Sequence, residues 1–337
     1  MKNRDCGLDF LKFICAFLVV CIHIQFPSLV GKVVTPITRI AVPIFFMITG
    51  YYYSFTKKNK ARKKQIFKIV KLFIGANIFY FLLELLFCFI LKNDIHYFID
   101  NIFNIKTILK FIFFNESPFG GHLWYLGALL YVLLIIWFID SIGSIKKIYF
   151  LIPFLLLTDL VFGKYSLLFF GKEFPYILVR NFLFVGLPYF LIGDMLYNYK
   201  PKMKTKYLLL FSVLFLILTL TERYFLGIYN LNATRDHYFS TTFLAIFVFL
   251  LVFKLGDKIK STKGQKLSFL VSKLSLGIYI IHPLFIKIFN IVIYQLSENK
   301  YLLYILNYLV PFIIFGVSAF IVYLFMILKE KNKKPIK

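Results

Sequence analysis

Ten apolar windows, each long enough to cross a lipid bilayer, constrain the fold of this chain more than any other feature. A helix that spans a bilayer needs about 17 to 25 predominantly apolar residues. The chain is 60% hydrophobic and only 16% charged, whereas a soluble domain is about a quarter charged. The sequence therefore predicts an all-α polytopic membrane protein with about ten transmembrane helices, in which 1–337 form a single domain with no soluble domain. The predicted spans are 8–26, 37–55, 66–91, 123–140, 147–163, 177–198, 207–226, 239–255, 268–294 and 302–328.

The positive charges of the loops predict the orientation of these spans. With the N-terminus in the cytoplasm, the predicted inner segments hold 26 Lys and Arg residues and the predicted outer segments hold 8. Because cytoplasmic loops carry the excess of Lys and Arg, both termini are expected to be cytoplasmic. The richness in Lys, Ile, Phe and Asn indicates an AT-rich bacterial genome, hence a multi-pass protein of a bacterial plasma membrane. The net charge of +25 follows from these loops, so we expect membrane lipids and no nucleic acid as partners. No oligomeric state is predicted.

The first span carries three ionisable residues, Asp9, Lys12 and His23. Hydrocarbon penalises such groups, so each of them indicates a functional site and is a candidate catalytic residue. Lys12 and His23 are separated by about 20° of helical phase and roughly 16 Å along a helix axis. They would therefore project from one stripe at different depths, with His23 toward the outer face and Asp9 and Lys12 toward the cytoplasm.

Arg39 lies near the outer start of the second predicted span. A buried arginine offers a fixed fork of donors for a carboxylate, a phosphate or a developing oxyanion. The alternative is a side chain that snorkels from a helix end toward water. His282, in the middle of the ninth span, is either a proton relay or a structural histidine that bonds across helices.

Further polar residues are expected at the outer ends of several spans. They indicate either a wet cavity that contacts substrate or a set of structural ion pairs and interface anchors. The candidate substrate contacts are His122, Trp124, Arg180, Arg235 and His237, together with the mid-span His282.

The inner loop at 57–71 is the densest charge cluster of the chain. It includes Arg62, Lys63, Lys64 and Lys68, and either anionic lipid headgroups or the phosphates of a cytosolic donor such as acyl-coenzyme A would bind there. The four cysteines have no metal-ligand spacing and no metal ligands cluster in the sequence, so we expect no metal.

The run Leu-Asp-Phe-Leu-Lys-Phe-Ile-Cys-Ala-Phe-Leu-Val-Val-Cys-Ile-His at 8–23 resembles the first span of the acyltransferase-3 family of membrane acyltransferases. That family typically shows an aspartate, an arginine three residues later and a histidine eleven after that; Asp9 and His23 match, and Lys12 replaces the arginine. The runs Val-Pro-Ile-Phe-Phe-Met-Ile-Thr-Gly-Tyr at 42–51, Leu-Trp-Tyr at 123–125 and Leu-Gly-Ile-Tyr-Ile-Ile-His-Pro at 276–283 resemble later landmarks. Together they cover nearly the whole chain.

The resemblance implies acyl transfer from a cytosolic acyl-coenzyme A, such as acetyl-coenzyme A, to a hydroxyl of a cell-envelope carbohydrate or related acceptor. It implies that His23 accepts the acceptor's proton as a base or mediates passage of the acyl group. It also implies that Arg39 stabilises charge near the reacting carbonyl and that the 57–71 cluster holds the donor's phosphates. The family's cytoplasmic Arg-x-x-Arg pair has no strict counterpart, and Lys64 and Lys68 only approximate it.

The chain is also similar to the membrane domain of the vancomycin-resistance serine racemases, whose attributed role is amino-acid uptake. This second resemblance implies that Arg180 and the Thr-Arg-Asp-His run at 234–237 grip the carboxylate and amine of a zwitterion. Two functions therefore stay open, O-acyl transfer and the transport of a small amino acid such as serine or of an envelope precursor.

Overall fold

The computed structural model describes residues 5–56, 59–92, 94–232, 235–295 and 300–332. Within these ranges the chain forms helices and turns and no strand, which confirms the predicted all-α fold. The α-helices are α1 (Cys6–His23), α2 (Ser28–Thr38), α3 (Ala41–Phe55), α4 (Asn59–Ile90), α5 (Ile95–Phe103), α6 (Ile105–Phe114), α7 (Trp124–Ile142), α8 (Leu151–Phe162), α9 (Ser166–Phe170), α10 (Leu187–Tyr199), α11 (Thr205–Ile228), α12 (Phe239–Gly256), α13 (Thr262–Gln295) and α14 (Lys300–Lys331).

Eight helical stretches of the described residues are long and apolar enough to cross a membrane. They correspond to eight of the ten predicted spans. Large apolar side chains lie exposed along them, such as Phe89 at 75% and Phe325 at 69% of full exposure. Faces of this kind are stable in contact with lipid and not with water. The protein is therefore a multi-pass membrane protein.

The other two predicted spans, 147–163 and 177–198, are interrupted in the structure. The fifth begins with a short 3₁₀-helix at Ile145–Ile148 and continues as the short α8. The sixth breaks at Asn181, whose backbone is extended and whose side chain accepts hydrogen bonds from the backbone N–H groups of the next turn. That turn is a π-helix, Phe182–Gly186, and leads directly into α10. An asparagine favours a cap over a helix interior because its side chain competes for backbone groups.

The predicted outer segment between the third and fourth spans forms two short helices, α5 and α6. Each begins at a side-chain cap, Asp94 for α5 and Asn104 for α6. The Tyr131 hydroxyl donates to the carbonyl of Ile112 at 2.6 Å and ties α6 to α7. Both helices are amphipathic and expose apolar side chains, a pattern typical of helices that lie in the membrane interface.

The chain divides into two compact units. The first unit comprises Met1–Phe45, Met203–Phe225 and Tyr238–Lys337, and the second comprises Phe46–Lys202 and Leu226–His237. In the first unit α1 packs along α13 and also contacts α12, α2 and α14. The centre of that packing is a cluster of buried apolar side chains from α1, α13 and α14: Ala16, Val20, Leu274, Ile278, Val310 and Ile314.

In the second unit α7 packs against α4 and against the π-helical turn, and α8 packs against α10. In the same unit the backbones of α3 and α10 approach each other closely. A Cβ atom on Gly193 would lie 2.6 Å from the carbonyl carbon of Met47, and one on Gly50 would lie 2.9 Å from that of Phe190. Small residues at such crossings let membrane helices approach closely and gain van der Waals contact.

Replacing Gly193 with alanine should therefore destabilise the protein, because the new methyl group meets backbone atoms that cannot rotate away. We expect Gly193→Ala to lower the free energy of unfolding by about 1–3 kcal/mol, measured as a lower melting temperature in detergent. Gly75→Ala in α4 is the matched control, since its Cβ meets nothing within 4 Å. Equal melting of Gly193→Ala and the wild type would contradict this account of the α3–α10 contact.

Candidate functional site

His23 is the last residue of α1 and lies exposed at its end. The helix stops there because Ile24 takes an extended conformation and donates its N–H back to Val20. Pro27 follows closely, as is common beyond a helix C-terminus. The sequence thus places an accessible imidazole at the end of the first membrane helix.

His282, on α13, packs directly against His23. The two ring centroids are 5.1 Å apart, with the ring planes inclined by 47°, and the His282 side chain is fully buried. Its Nδ1 lies 3.1 Å from the carbonyl oxygen of Ile278. Because a carbonyl only accepts, Nδ1 is the donor, and a neutral His282 then carries its lone pair on Nε2. The structure brings together an accessible histidine and a buried one of fixed tautomer.

Asp9 and Lys12 form their own ion pair at the other end of α1. Lys12 Nζ lies 3.4 Å from Asp9 Oδ1, and the Asp9 side chain is buried. The rise of an α-helix places Lys12 roughly 16 Å from His23. These two residues therefore do not join the histidine pair, and their catalytic role stays a prediction.

A pocket of about 550 Å³ opens beside Asp9, at the start of α1. Asp5 is the N-cap of this helix, and its carboxylate accepts a hydrogen bond from the backbone N–H of Leu8 at 2.7 Å. Burial raises the pKa of Asp5 from 3.8 to about 6, and the carboxylates of Asp257 and Asp9 add to this increase.

Arg39 lies at a break in the second predicted span. The predicted span 37–55 begins in the last residues of α2 and continues as α3, and Arg39 is the half-buried C-cap of α2 between them. It belongs to the same unit as His23, and α2 packs against α1 in that unit. Its role in charge stabilisation stays a prediction.

Arg180 and Arg235, in the second unit, both lie against the ring of Tyr176. The Arg180 guanidinium carbon is 4.3 Å from that ring centroid and 5.3 Å from the centroid of Trp124. The Arg235 guanidinium carbon is 4.9 Å from the Tyr176 centroid. Arg235 also pairs with Glu173 at 3.5 Å and donates to the carbonyl of Phe174. Two of the predicted substrate contacts, Arg180 and Arg235, thus meet at a tyrosine that the sequence analysis did not select, and a third, Trp124, contacts Arg180.

His237 is held by Asp159, a residue that the sequence analysis missed. The Nδ1 of His237 lies 2.7 Å from Asp159 Oδ2, both side chains are buried, and the Tyr189 ring packs beside them. A lone carboxylate inside the apolar window 147–163 was the signal that could have pointed to this residue. The pair has the form of a structural ion pair, one of the two alternatives left open above.

His122 is also buried, in a short 3₁₀-helix before α7. Its ring meets the Tyr80 ring edge-on, with centroids 4.7 Å apart. The structure thus places His122 within the packing of the second unit. Whether it contacts substrate stays a prediction.

The predicted donor-binding residues separate into two groups. Arg62 pairs with Asp140, donates from Nε to the carbonyl of Thr56 at 2.9 Å, and stacks on Tyr53. This arginine therefore joins the ends of α3, α4 and α7.

Lys63 lies over the Trp137 ring, with Nζ 5.6 Å from its centroid. In contrast, Lys64 and Lys68 are exposed and one helical turn apart on α4, where they share a face. Positions 57 and 58 of the cluster lie outside the described residues. No group of three or more His, Cys, Asp or Glu side chains in the described ranges could hold a metal ion.

Comparison with known proteins gives two kinds of similarity. A family described as an acyltransferase domain matches residues 6–328. An amino-acid racemase of Enterococcus faecalis is 28% identical over 349 aligned positions, which cover 95% of this chain and 46% of the racemase. A second amino-acid racemase of that organism is 30% identical over 166 positions, 47% of this chain and 21% of the racemase. The chain thus spans about half the length, or less, of these curated relatives. No solved structure matches.

The raised pKa of Asp5 predicts a pH-dependent stability. An acid with a raised folded-state pKa holds its proton more tightly in the folded protein, so stability is lost as the pH rises from about 4 to about 6. Asp5→Asn keeps an oxygen for the N-cap and removes the charge. We expect this variant to melt above the wild type at pH 7.5 and level with it near pH 4.

Asp94→Asn is the matched control, because Asp94 is an exposed N-cap that accepts from the N–H of His96 at 2.8 Å. Its melting temperature should follow the wild type at both pH values. An Asp5→Asn variant no more stable than the wild type at pH 7.5 would contradict the effect of burial.

Proposed function

Because the chain belongs to the acyltransferase-3 family, we propose that it moves an acyl group, acetyl in the simplest case, across a bacterial plasma membrane. The donor is a cytosolic acyl-coenzyme A and the acceptor is a hydroxyl of a cell-envelope carbohydrate or a related molecule. The family match over residues 6–328 supports the reaction class. The contact between His23 and His282 is the observation that supports the site of the chemistry.

His23 is the general base of the proposed reaction. It takes the proton of the acceptor hydroxyl while the oxygen attacks the thioester carbonyl. The new C–O bond forms, the C–S bond breaks, and the proton passes on to the departing thiolate, which leaves as free coenzyme A. A neutral imidazole suits this role, since an ordinary histidine titrates near the operating pH. Its exposed position at the end of α1 leaves the ring accessible to substrate.

His282 positions His23 in this scheme. Its Nδ1 is fixed on the Ile278 carbonyl, so its Nε2 lone pair is available to accept an N–H from the neighbouring imidazole. Such an acceptor favours the protonated form of His23 that arises during the reaction. His282 would thereby hold the ring in place and stabilise its developing charge.

The donor's phosphates are proposed to bind Lys64 and Lys68. These two lysines are exposed on one face of α4, whereas Arg62 is occupied by Asp140 and Thr56. Lysine is a point charge without the bidentate fork of arginine, so the pair offers an electrostatic contact to phosphate rather than a geometrically specific one. Arg39 is the proposed donor to the carbonyl oxygen.

A second candidate function is the transport of a small amino acid such as serine. The two relatives from Enterococcus faecalis are named as amino-acid racemases, and one of them aligns with 95% of this chain over less than half of its own length. This alignment favours an amino acid as the molecule that the membrane helices of this chain would carry.

Turnover of labelled acetyl-coenzyme A in liposomes supplied with envelope extract tests the proposed function. We expect the purified protein to release coenzyme A and His23→Ala to lose at least about 100-fold in rate, since a general base contributes 10²–10⁴-fold. His96→Ala is the control, an exposed histidine on α5. Donor-independent uptake of labelled serine, with no coenzyme A release, would instead establish transport.

The positioning role of His282 predicts a change in the pH profile. His282→Asn keeps an N–H for the Ile278 carbonyl and removes the Nε2 acceptor. We expect lower turnover, with the acid limb of the kcat/KM profile moved to lower pH because the protonated form of His23 is less favoured. His282→Gln can place an amide oxygen near the Nε2 position. It should restore part of the turnover and return the acid limb part of the way toward its wild-type position. A reduced rate with an unmoved acid limb in His282→Asn would assign His282 a purely structural role.

A further inference from the structure

Arg180 is the one arginine around Tyr176 whose charge no carboxylate balances in the part of the chain that the structure describes. Its guanidinium lies 4.3 Å from the Tyr176 ring centroid and 5.3 Å from that of Trp124, and the residue is half-buried. Contact with ring faces uses the flat face of the guanidinium and leaves its N–H edges available for hydrogen bonds. The arginine is thus held in place with its donors available.

Arg235 gives an internal comparison on the same ring. It is 4.9 Å from the Tyr176 centroid but has Glu173 at 3.5 Å and the Phe174 carbonyl as partners. Two guanidinium groups beside one ring repel each other unless anions compensate them. Glu173 compensates Arg235. An anion at Arg180 would complete the charge balance.

The nearby helix terminus does not supply an alternative anion site. The backbone N–H groups of Leu183 and Phe184 are capped by the Asn181 side chain, at 2.9 Å and 3.1 Å. The N–H of Phe182 donates to the Asn115 side chain at 3.3 Å. These donors of the π-helical turn are therefore used within the protein, and Arg180 remains as the available donor.

We propose that Arg180, clamped by Trp124 and Tyr176, binds a carboxylate of a small polar ligand. A single uncompensated positive charge matches a monoanion, and the planar fork of arginine matches a carboxylate in a bidentate arrangement. A phosphate, with nearly two negative charges, would exceed the single positive charge of Arg180. The ligand is then the acceptor, a carboxylated sugar, and this identification alone rests on the proposed function. The same chemistry would also bind the α-carboxylate of a free amino acid.

Tryptophan fluorescence can report this binding without any acyl transfer. The chain has two tryptophans, so a Trp137→Phe background leaves Trp124, in contact with Arg180, as the single emitter. Full-length protein in lipid nanodiscs would be titrated with glucuronate, with L-serine and with uncharged glucose. We expect saturable quenching or shift with glucuronate or serine and none with glucose.

Substitutions of Arg180 then test whether this residue contacts the carboxylate. Arg180→Gln should weaken carboxylate binding about 10- to 100-fold, the range expected for losing charge-assisted hydrogen bonds. Arg180→Lys keeps the charge without the planar fork of donors, so its affinity for the carboxylate should lie between those of the parent and Arg180→Gln. Arg223→Gln is the matched control: Arg223 is a half-buried arginine at the end of a membrane helix, without an aromatic clamp. The Arg223→Gln variant should bind the carboxylate with the same affinity as the parent.

Each outcome decides the proposal. Arg180-dependent binding of glucuronate supports a carboxylated sugar as the ligand, and Arg180-dependent binding of serine supports an amino acid. No saturable signal with either carboxylate, or equal affinity in Arg180→Gln and the parent, overturns the site. If the wild type binds the carboxylate through Arg180 but does not turn over acetyl-coenzyme A, the proposed function fails while the carboxylate site stands.

Discussion

The absence of water in hydrocarbon is the constraint on which this structure depends. A buried polar group that finds no partner there is unfavourable by several kcal/mol, so charged and polar side chains within the helices are held in specific contacts. Asp9 is paired with Lys12, Asp159 with His237, and Arg62 with Asp140. Breaks in the helices obey the same constraint, since the side chain of Asn181 caps the exposed N–H groups where the sixth span is interrupted. The fold follows from satisfying these groups internally while apolar faces meet lipid.

This constraint also decides how much could be read from the sequence. Hydrophobic windows predicted the helical class and most spans, because burial in lipid depends on composition over a whole helix. They did not predict the irregular turns within 147–163 and 177–198, where a 3₁₀-helix precedes α8 and a π-helical turn leads into α10. The break in the second of these windows depends on a single side chain, Asn181, which caps the π-helical turn. Hydropathy averaged over a window cannot register such a local hydrogen bond.

The residues of the candidate site could be predicted from the sequence, but the contacts between them could not. The sequence identifies His23 and His282 as polar groups inside apolar spans, but the two residues come from opposite ends of the chain. Only the packing of α1 along α13 brings their rings to 5.1 Å. Similarly, Arg180 and Arg235 looked alike in the sequence. The structure separates them, because Glu173 lies beside one and not the other, and no periodicity in the chain encodes that difference.

The ion pair at the start of α1 explains why lysine at position 12 is compatible with the rest of the site. Family members typically have an arginine there, and a bidentate fork would matter if the side chain bound a carboxylate or phosphate of a substrate. Here Lys12 contacts one oxygen of Asp9, three residues earlier on the same helix. A point charge is sufficient for that contact, so the substitution keeps the local charge balance. Lys12 therefore balances the charge of the buried Asp9 carboxylate near the start of α1, and a catalytic role for either residue stays a prediction.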